Sequence, residues 1–257
     1  MPSVREQFKT FHDFASADLA SIYGNRLAAA MRLEVNTAET GIFINDGNAH
    51  FSFQPLPHLA QVAPTMGAAA THLDGDGVLD LVLAQNDFTP QRETGRMDGG
   101  VSFALLGNGD GSFRIMPPAT SGIAIEGDVR SLSIFDYLGN NRPDILIARN
   151  SASPRLLFNN ASGNFLRITL QSSLKRNLSA IGAQITIYRK SGTLEKHQID
   201  AGNGYLSQSP PEIFVSFTKL NPVEKIVIVG PTGIRSESLL PDHLQAGGLW
   251  TIRLENQ

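Results

Sequence analysis

Three carboxylates, Asp74, Asp76 and Asp80, fall within the stretch His72-Leu73-Asp74-Gly75-Asp76-Gly77-Val78-Leu79-Asp80-Leu81-Val82-Leu83-Ala84. At about 5 Å and an effective dielectric of about 20, each pair of such charges repels by roughly 3 kcal/mol. A hard cation cancels that repulsion, and calcium, which takes six to eight oxygens, suits the spacing. Asp74 and Asp76 would give side-chain oxygens, Val78 its backbone carbonyl and Asp80 a closing carboxylate, with water completing the shell. Gly75 and Gly77 permit the tight wrap by tolerating positive φ. An EF-hand is excluded, because its twelfth position needs Glu ahead of a helix, and here Gln85 stands at the end of an apolar β-type run. The competing reading is a solvated acidic turn with no ion.

A weaker copy reads Asp136-Tyr137-Leu138-Gly139-Asn140-Asn141-Arg142-Pro143-Asp144-Ile145-Leu146-Ile147-Ala148, its last aspartate 64 residues beyond Asp80. Asp136, Asn140 and Asp144 are its candidate calcium ligands. Arg142 puts a positive charge inside the loop, free to pair with Asp144, so a turn held by hydrogen bonds alone is the expectation there. A further step back falls on Asp18, in Phe14–Ala20, a possible eroded copy. Asp110 reads as a hairpin turn residue.

A second marker keeps the same phase. Turns rich in Asn, Asp and Gly end in Phe51, Phe113 and Phe165, each after an apolar run. Such units read as short strands joined by tight turns, and units of this size suggest propeller blades in an all-β chain. The segment from Asp18 to Glu34 has helical spacing of its apolar residues, but the repeat phase favours degenerate strands. After Phe165 the acidic repeat stops. Strands are expected at 166–170, 181–188, 195–199, 223–229 and 248–254, with a tight turn at Gly230-Pro231-Thr232-Gly233.

The chain has 257 residues, no cysteine and a net charge of −3. Disulfides, thiolate metal sites and cysteine nucleophiles are therefore excluded, and no basic face for nucleic acid is expected. No apolar run reaches the length of a membrane span, and no apolar signal-peptide region follows the charged Met1–Lys9. Six histidines lack the HExxH spacing, so no zinc site is expected; no GxSxG elbow, P-loop or GxGxxG occurs. Lys175-Arg176 and Arg189-Lys190 read as solvated charges.

The 72–84 and 136–148 stretches resemble FG-GAP/VCBS repeats, the blades of integrin-type β-propellers, whose calcium loop runs D-x-[DN]-G-D-G-x-x-D. His72 replaces the first Asp, and Leu138 and Asn140 replace carboxylates in the second loop. The later part resembles an ASPIC/UnbV domain, through Ser179–Ala183, Ala201-Gly202-Asn203-Gly204-Tyr205-Leu206-Ser207-Gln208-Ser209-Pro210 and Val227–Gly233, although Gly230 stands where that family usually has Trp. The order of parts is that of the cartilage acidic protein-like family.

The resemblance implies a partial β-propeller of two to three blades, then a small β-sandwich-like or barrel-like module. The expected divisions are 1–40 (degenerate blade or extension), 41–165 (propeller repeats) and 166–257 (ASPIC/UnbV-like module). Residues 201–209 read as a structural loop, with Tyr205 packed and Gln208 and Ser209 hydrogen-bonded. The implied function is non-enzymatic, calcium-dependent recognition or adhesion of protein or glycan, extracellular or at a cell surface, with the insert Asn86–Gly100 (Asp87, Pro90, Arg92, Arg96, Asp98) as contact loop. The alternatives are part of a polysaccharide-acting enzyme, for which Glu126 and Asp128 are the nearest carboxylate pair, and an assembly element. Two or three blades do not close a ring, which leaves self-association or a longer parent chain open.

Overall fold

The computed structural model describes residues 2–254. It resolves into two compact units, Met1–Ala38 and Glu39–Gln257. With 40% strand against 12% helix the chain is all-β in class.

In the first unit the segment expected as degenerate strands, Asp18 to Glu34, is helical over residues 19–29. Helices α1 (Pro2–Gln7), α2 (Phe11–Ala15) and α3 (Leu19–Tyr23) lead into a 3-10 turn at Gly24–Ala29. Local capping explains the correction. Thr10 Oγ1 accepts from the Asp13 N–H at 3.1 Å, and Asp18 Oδ1 accepts from the Ser21 N–H at 2.7 Å. Asp18 is thus a helix cap rather than the last aspartate of a lost metal loop.

The second unit begins with a hairpin, β1 (Gly41–Asn45) and β2 (Phe51–Pro55). A four-stranded antiparallel meander follows: β3 (Thr65–Thr71), β4 (Asp80–Gln85), β5 (Phe103–Gly107) and β6 (Phe113–Ile115). A three-stranded meander repeats it with β7 (Val129–Phe135), β8 (Asp144–Arg149) and β9 (Ala152–Leu157). These are the blades of a partial propeller. Val82 and Leu83 on β4 point to opposite faces, and both are buried. Val82 packs with Leu132, Ile134, Ile145 and Ile147 of the second blade, while Leu83 packs with Phe103, Leu105, Leu56 and Ala60. A strand covered on both faces reads as an unbroken apolar run, which is what Leu81–Ala84 is.

The remaining strands form a sandwich. One sheet orders β13 (Glu212–Phe217), β10 (Asn164–Ser172) and β16 (Gly248–Leu254), with β10 and β16 parallel. The other orders β12 (Leu194–Gln198), β11 (Gln184–Arg189), β14 (Val223–Val229) and β15 (Arg235–Leu239), all antiparallel. Leu166, Ile168, Ile185, Ile187, Val215, Phe217, Ile226 and Ile228 fill the space between them. β13 joins the two modules. Its Ile213, Val215 and Phe217 belong to the sandwich core, whereas Phe214 on the opposite face is buried with Val82 and Leu132 of the blades. Period-two alternation on a doubly covered strand lets one element serve both cores.

Candidate metal centre

The loop 72–80 connects β3 to β4 and is shaped by its own aspartates. Asp74 Oδ1 accepts from the Asp76 N–H at 3.1 Å, and Asp76 Oδ1 accepts from the Val78 N–H at 2.7 Å. Gly75 and Gly77 lie at φ +84° and +94°, the left-handed region that such consecutive turns demand. Asp80 is fully buried; its Oδ2 accepts from the Leu73 N–H at 2.7 Å and its Oδ1 from the Gly107 N–H at 3.0 Å. Burial pushes the Asp80 carboxyl up to about 6 against these two hydrogen bonds, and the charges of Asp74 and Asp76 add to the rise. Among the described residues no Lys, Arg or His forms an ion pair with Asp74, Asp76 or Asp80.

The loop between β7 and β8 keeps the last aspartate and replaces the rest. Asp144, also fully buried, accepts from the N–H groups of Tyr137 (2.9 Å), Leu138 (3.3 Å) and Asn159 (2.9 Å). Asp136 accepts from Asn140 and Asn141 N–H, both at 2.9 Å, and Asn140 Oδ1 accepts from the Arg142 N–H at 3.1 Å. The positive charge beside this loop comes from Arg167, whose Nη1 lies 3.2 Å from Asp136 Oδ2. Arg142 does not pair with Asp144; its guanidinium lies over the Phe165 ring, 5.7 Å from the centroid.

His72, the residue in place of the first loop aspartate, turns away from the carboxylates. It is fully buried, with Nε2 2.7 Å from Glu195 Oε1 and Nδ1 3.1 Å from Ser216 Oγ. Glu195 and His197 sit two apart on β12, opposite Ile187 and Ile185, and so face inward together. His197 Nε2 lies 2.5 Å from the same Oε1, and Arg189 Nη2 donates to Glu195 Oε2 at 2.7 Å. Arg189 also donates to the Ser216 carbonyl at 2.9 Å, while Ser216 Oγ accepts from the Gly77 N–H at 3.0 Å. Burial alone raises the Glu195 carboxyl, but the hydrogen bonds and charges of His197 and His72 hold it far below the usual carboxylate range. Arg189, expected as a solvated charge, is buried. Among the described residues, the trio whose ligand atoms gather within 4.8 Å is His72, Glu195 and His197, not the three aspartates. No sequence spacing shows this cluster, because His72 lies 123 residues from Glu195.

Two further segments frame the loop. Residues 203–209 lie along β7, the edge strand of the second blade. Ser207 Oγ donates to the Leu132 carbonyl at 3.0 Å, and the Ile134 N–H donates to Ser209 Oγ at 3.0 Å. The Gln208 carbonyl accepts from Ser133 Oγ at 3.2 Å. The segment therefore clamps a blade edge, as a structural loop should, but Tyr205, expected to pack, is exposed.

The insert Asn86–Gly100 is pinned at its stem. Asn86 Nδ2 donates to the carbonyls of Gly100 (2.8 Å) and Gly127 (2.9 Å), and Arg130 pairs with Asp87 and Asp128 at 2.6 and 2.9 Å. Asp128, the nearer of the two carboxylates considered for catalysis, also accepts from Asn150 Nδ2 at 2.9 Å. Residues 91–99 are exposed.

No helix among the described residues is long and apolar enough to cross a membrane. No curated protein matches the chain. Residues 173–256 match the sequence model of the family described as ASPIC and UnbV, so the C-terminal sandwich is supported as an ASPIC/UnbV domain.

Proposed function

We propose that this chain is a non-enzymatic recognition protein whose two blades are FG-GAP/VCBS-type repeats of a cartilage acidic protein-like architecture, with calcium bracing the first. The single observation that carries the reading is Asp80, a fully buried carboxylate crowded by Asp74 and Asp76, with no cationic side chain among the described residues in an ion pair with any of them. The contrast with the second loop supports the same reading, since there Arg167 supplies a positive charge. The donor set suits calcium in kind, being all oxygen: the carboxylates of Asp74, Asp76 and Asp80, which the Val78 carbonyl would join. The second loop, with Asp136, Asn140 and Asp144, would bind the ion weakly at most.

Calcium would have a structural task. It would neutralise the loop and stiffen the corner from which β4 starts, and so hold the insert 86–100 at the far end of β4 in one place. Exposed loops on a rigid scaffold carry recognition. The partner class is protein or glycan, in the extracellular space or at a cell surface.

The test is a calcium titration followed by thermal melting. Binding to the folded state raises the melting temperature as the logarithm of calcium concentration, and Asp76→Ala should abolish the response. A melting temperature indifferent to calcium in the intact chain would sink the proposal. Calcium-dependent retention on protein and glycan arrays without turnover would separate recognition from catalysis.

A further inference from the structure

We propose a second metal site, for a zinc-class divalent ion, formed by His72 Nε2, Glu195 Oε1 and His197 Nε2 where the first blade meets the ASPIC/UnbV domain. It goes beyond the calcium reading and stands independently of it. The two imidazole nitrogens approach one carboxylate oxygen from separate segments, at 2.7 and 2.5 Å, and all three ligand atoms lie within 4.8 Å of one another. Tetrahedral zinc, at about 2.0–2.1 Å from each ligand, spaces its ligand atoms about 3.3 Å apart, so Glu195 Oε1 would move out from each imidazole nitrogen by about 0.6–0.8 Å while the two nitrogens, within 4.8 Å of one another, settle at the same spacing.

The outer atoms of two ligands are already held. Ser216 Oγ lies against His72 Nδ1 at 3.1 Å, and Arg189 donates to Glu195 Oε2 at 2.7 Å. Partners of this kind fix the orientation of metal-binding side chains and keep their inner atoms facing the ion. Ser216 Oγ can accept from the Nδ1–H of His72, so displacement of the Nε2 proton now held against Glu195 Oε1 would open the Nε2 lone pair to the metal. Glu195 and His197 are carried by a strand rather than a loop, at alternate positions opposite buried Ile187 and Ile185. The His72 side chain is closed to solvent, whereas those of Glu195 and His197 retain 13% and 15% exposure. That leaves an approach for the ion and a water as fourth ligand.

Two nitrogens and one oxygen select zinc, cobalt or nickel over calcium, which prefers oxygen alone. The ion would staple the blade loop to the C-terminal domain through the very position at which the loop has exchanged an aspartate for a histidine.

The experiment titrates the full chain with Co2+ and with Zn2+, without calcium. One equivalent of Co2+ should give visible ligand-field absorption, and Zn2+ should displace it. Two of the six imidazoles should shift in 15N spectra of the zinc-loaded wild-type chain. His197→Ala and Glu195→Gln, each checked for wild-type far-UV circular dichroism, should weaken binding by about tenfold or more. Asp76→Asn should keep Co2+ binding while losing the calcium-induced rise in melting temperature, and His197→Ala should do the reverse, so each metal reading can fail alone. The proposal is overturned if the wild-type chain binds neither metal one-to-one, if the titration moves no imidazole, or if Co2+ binding is lost in Asp76→Asn and kept in His197→Ala.

Discussion

Asp80 and Gly107 are joined by a hydrogen bond of 3.0 Å, N–H to Oδ1, across 27 residues. Asp144 and Asn159 make the same bond at 2.9 Å across 15. Each acceptor is the last aspartate of an acidic loop, and each donor stands six residues before the phenylalanine that closes the next turn. The recurring bond gives the repeat its phase, because it ties both markers of a unit to one buried carboxylate. The first of the two repeats is longer because the insert 86–100 lies between its β4 and β5, where β8 and β9 are joined by a tight turn at Asn150-Ser151.

A buried carboxylate that satisfies backbone donors is costly to remove. Asp144→Ala strands the N–H groups of Tyr137, Leu138 and Asn159 inside the blade. The expected loss is on the order of 3 kcal/mol, read as a lower urea midpoint at unchanged slope. Asp144→Asn, which keeps one carbonyl oxygen, should lose less. Equal losses in the two variants would mean that the carboxylate does not hold the turn through these acceptors.

Gly75 and Gly139 occupy the same place in the two loops, at φ +84° and +70°. A Cβ on Gly139 meets nothing within 4 Å, whereas one on Gly75 lands 2.4 Å from the Ser162 carbonyl oxygen. Gly139→Ala should therefore cost only the backbone term, about 1 kcal/mol. Gly75→Ala adds a collision with main chain, for a total on the order of 3 kcal/mol. Chemical denaturation of the pair reads the difference; equal costs would place Ser162 elsewhere in solution.

The pH dependence of the calcium-free chain has a definite sign at Asp80. Its carboxyl is raised from 3.8 to about 6 in the folded state, so between those values the folded chain holds more protons than the unfolded one. The contribution of Asp80 to stability is present below about 4 and falls away as pH rises through 6. Glu195 acts in the opposite sense, since its depressed carboxyl contributes stability above 4.5 that is lost on acidification. Comparing wild type with Asp80→Asn isolates the first effect. Calcium must displace the proton on Asp80, so its increment in melting temperature should be larger at pH 7.5 than at pH 5; equal increments would show that the ion does not meet this carboxyl.

What could be read along the chain was local. Asp74, Gly75 and Asp76 announce their own turns, and 195–199, 223–229 and 248–254 announce strands by alternation and boundary residues. The metal cluster was illegible because its members come from a loop and a strand brought together only by docking of the two modules. Arg189 looked solvated for the same reason: its partners, Glu195 and Ser216, are assembled by the fold. β13 is not marked in the sequence although Ile213–Phe217 is apolar but for Ser216 and follows Pro210-Pro211, because a strand serving two cores shows no alternation to find. Asp18 misled in the other direction, since an aspartate in repeat phase and an aspartate capping a helix are the same letter until the next turn of chain is built.

The clamp of residues 203–209 on β7 gives the last test. An edge strand leaves N–H and C=O groups open, and covering them with a neighbouring segment protects the sheet. Ser209 supplies the acceptor for the Ile134 N–H, and Ser207 supplies a donor to the Leu132 carbonyl. Ser209→Ala removes a single acceptor and should cost about 1 kcal/mol. Its sharper signature is local: hydrogen exchange at the Ile134 amide should quicken, while Ile145, which pairs with Ile134 from β8 in the interior of the same blade, keeps its protection. Ser207→Ala should leave the Ile134 amide protected, because its bond runs to a carbonyl. If Ser209→Ala leaves exchange at Ile134 unchanged, the clamp is not made through this hydroxyl, and the run Ser207-Gln208-Ser209 needs another explanation than holding the two modules together.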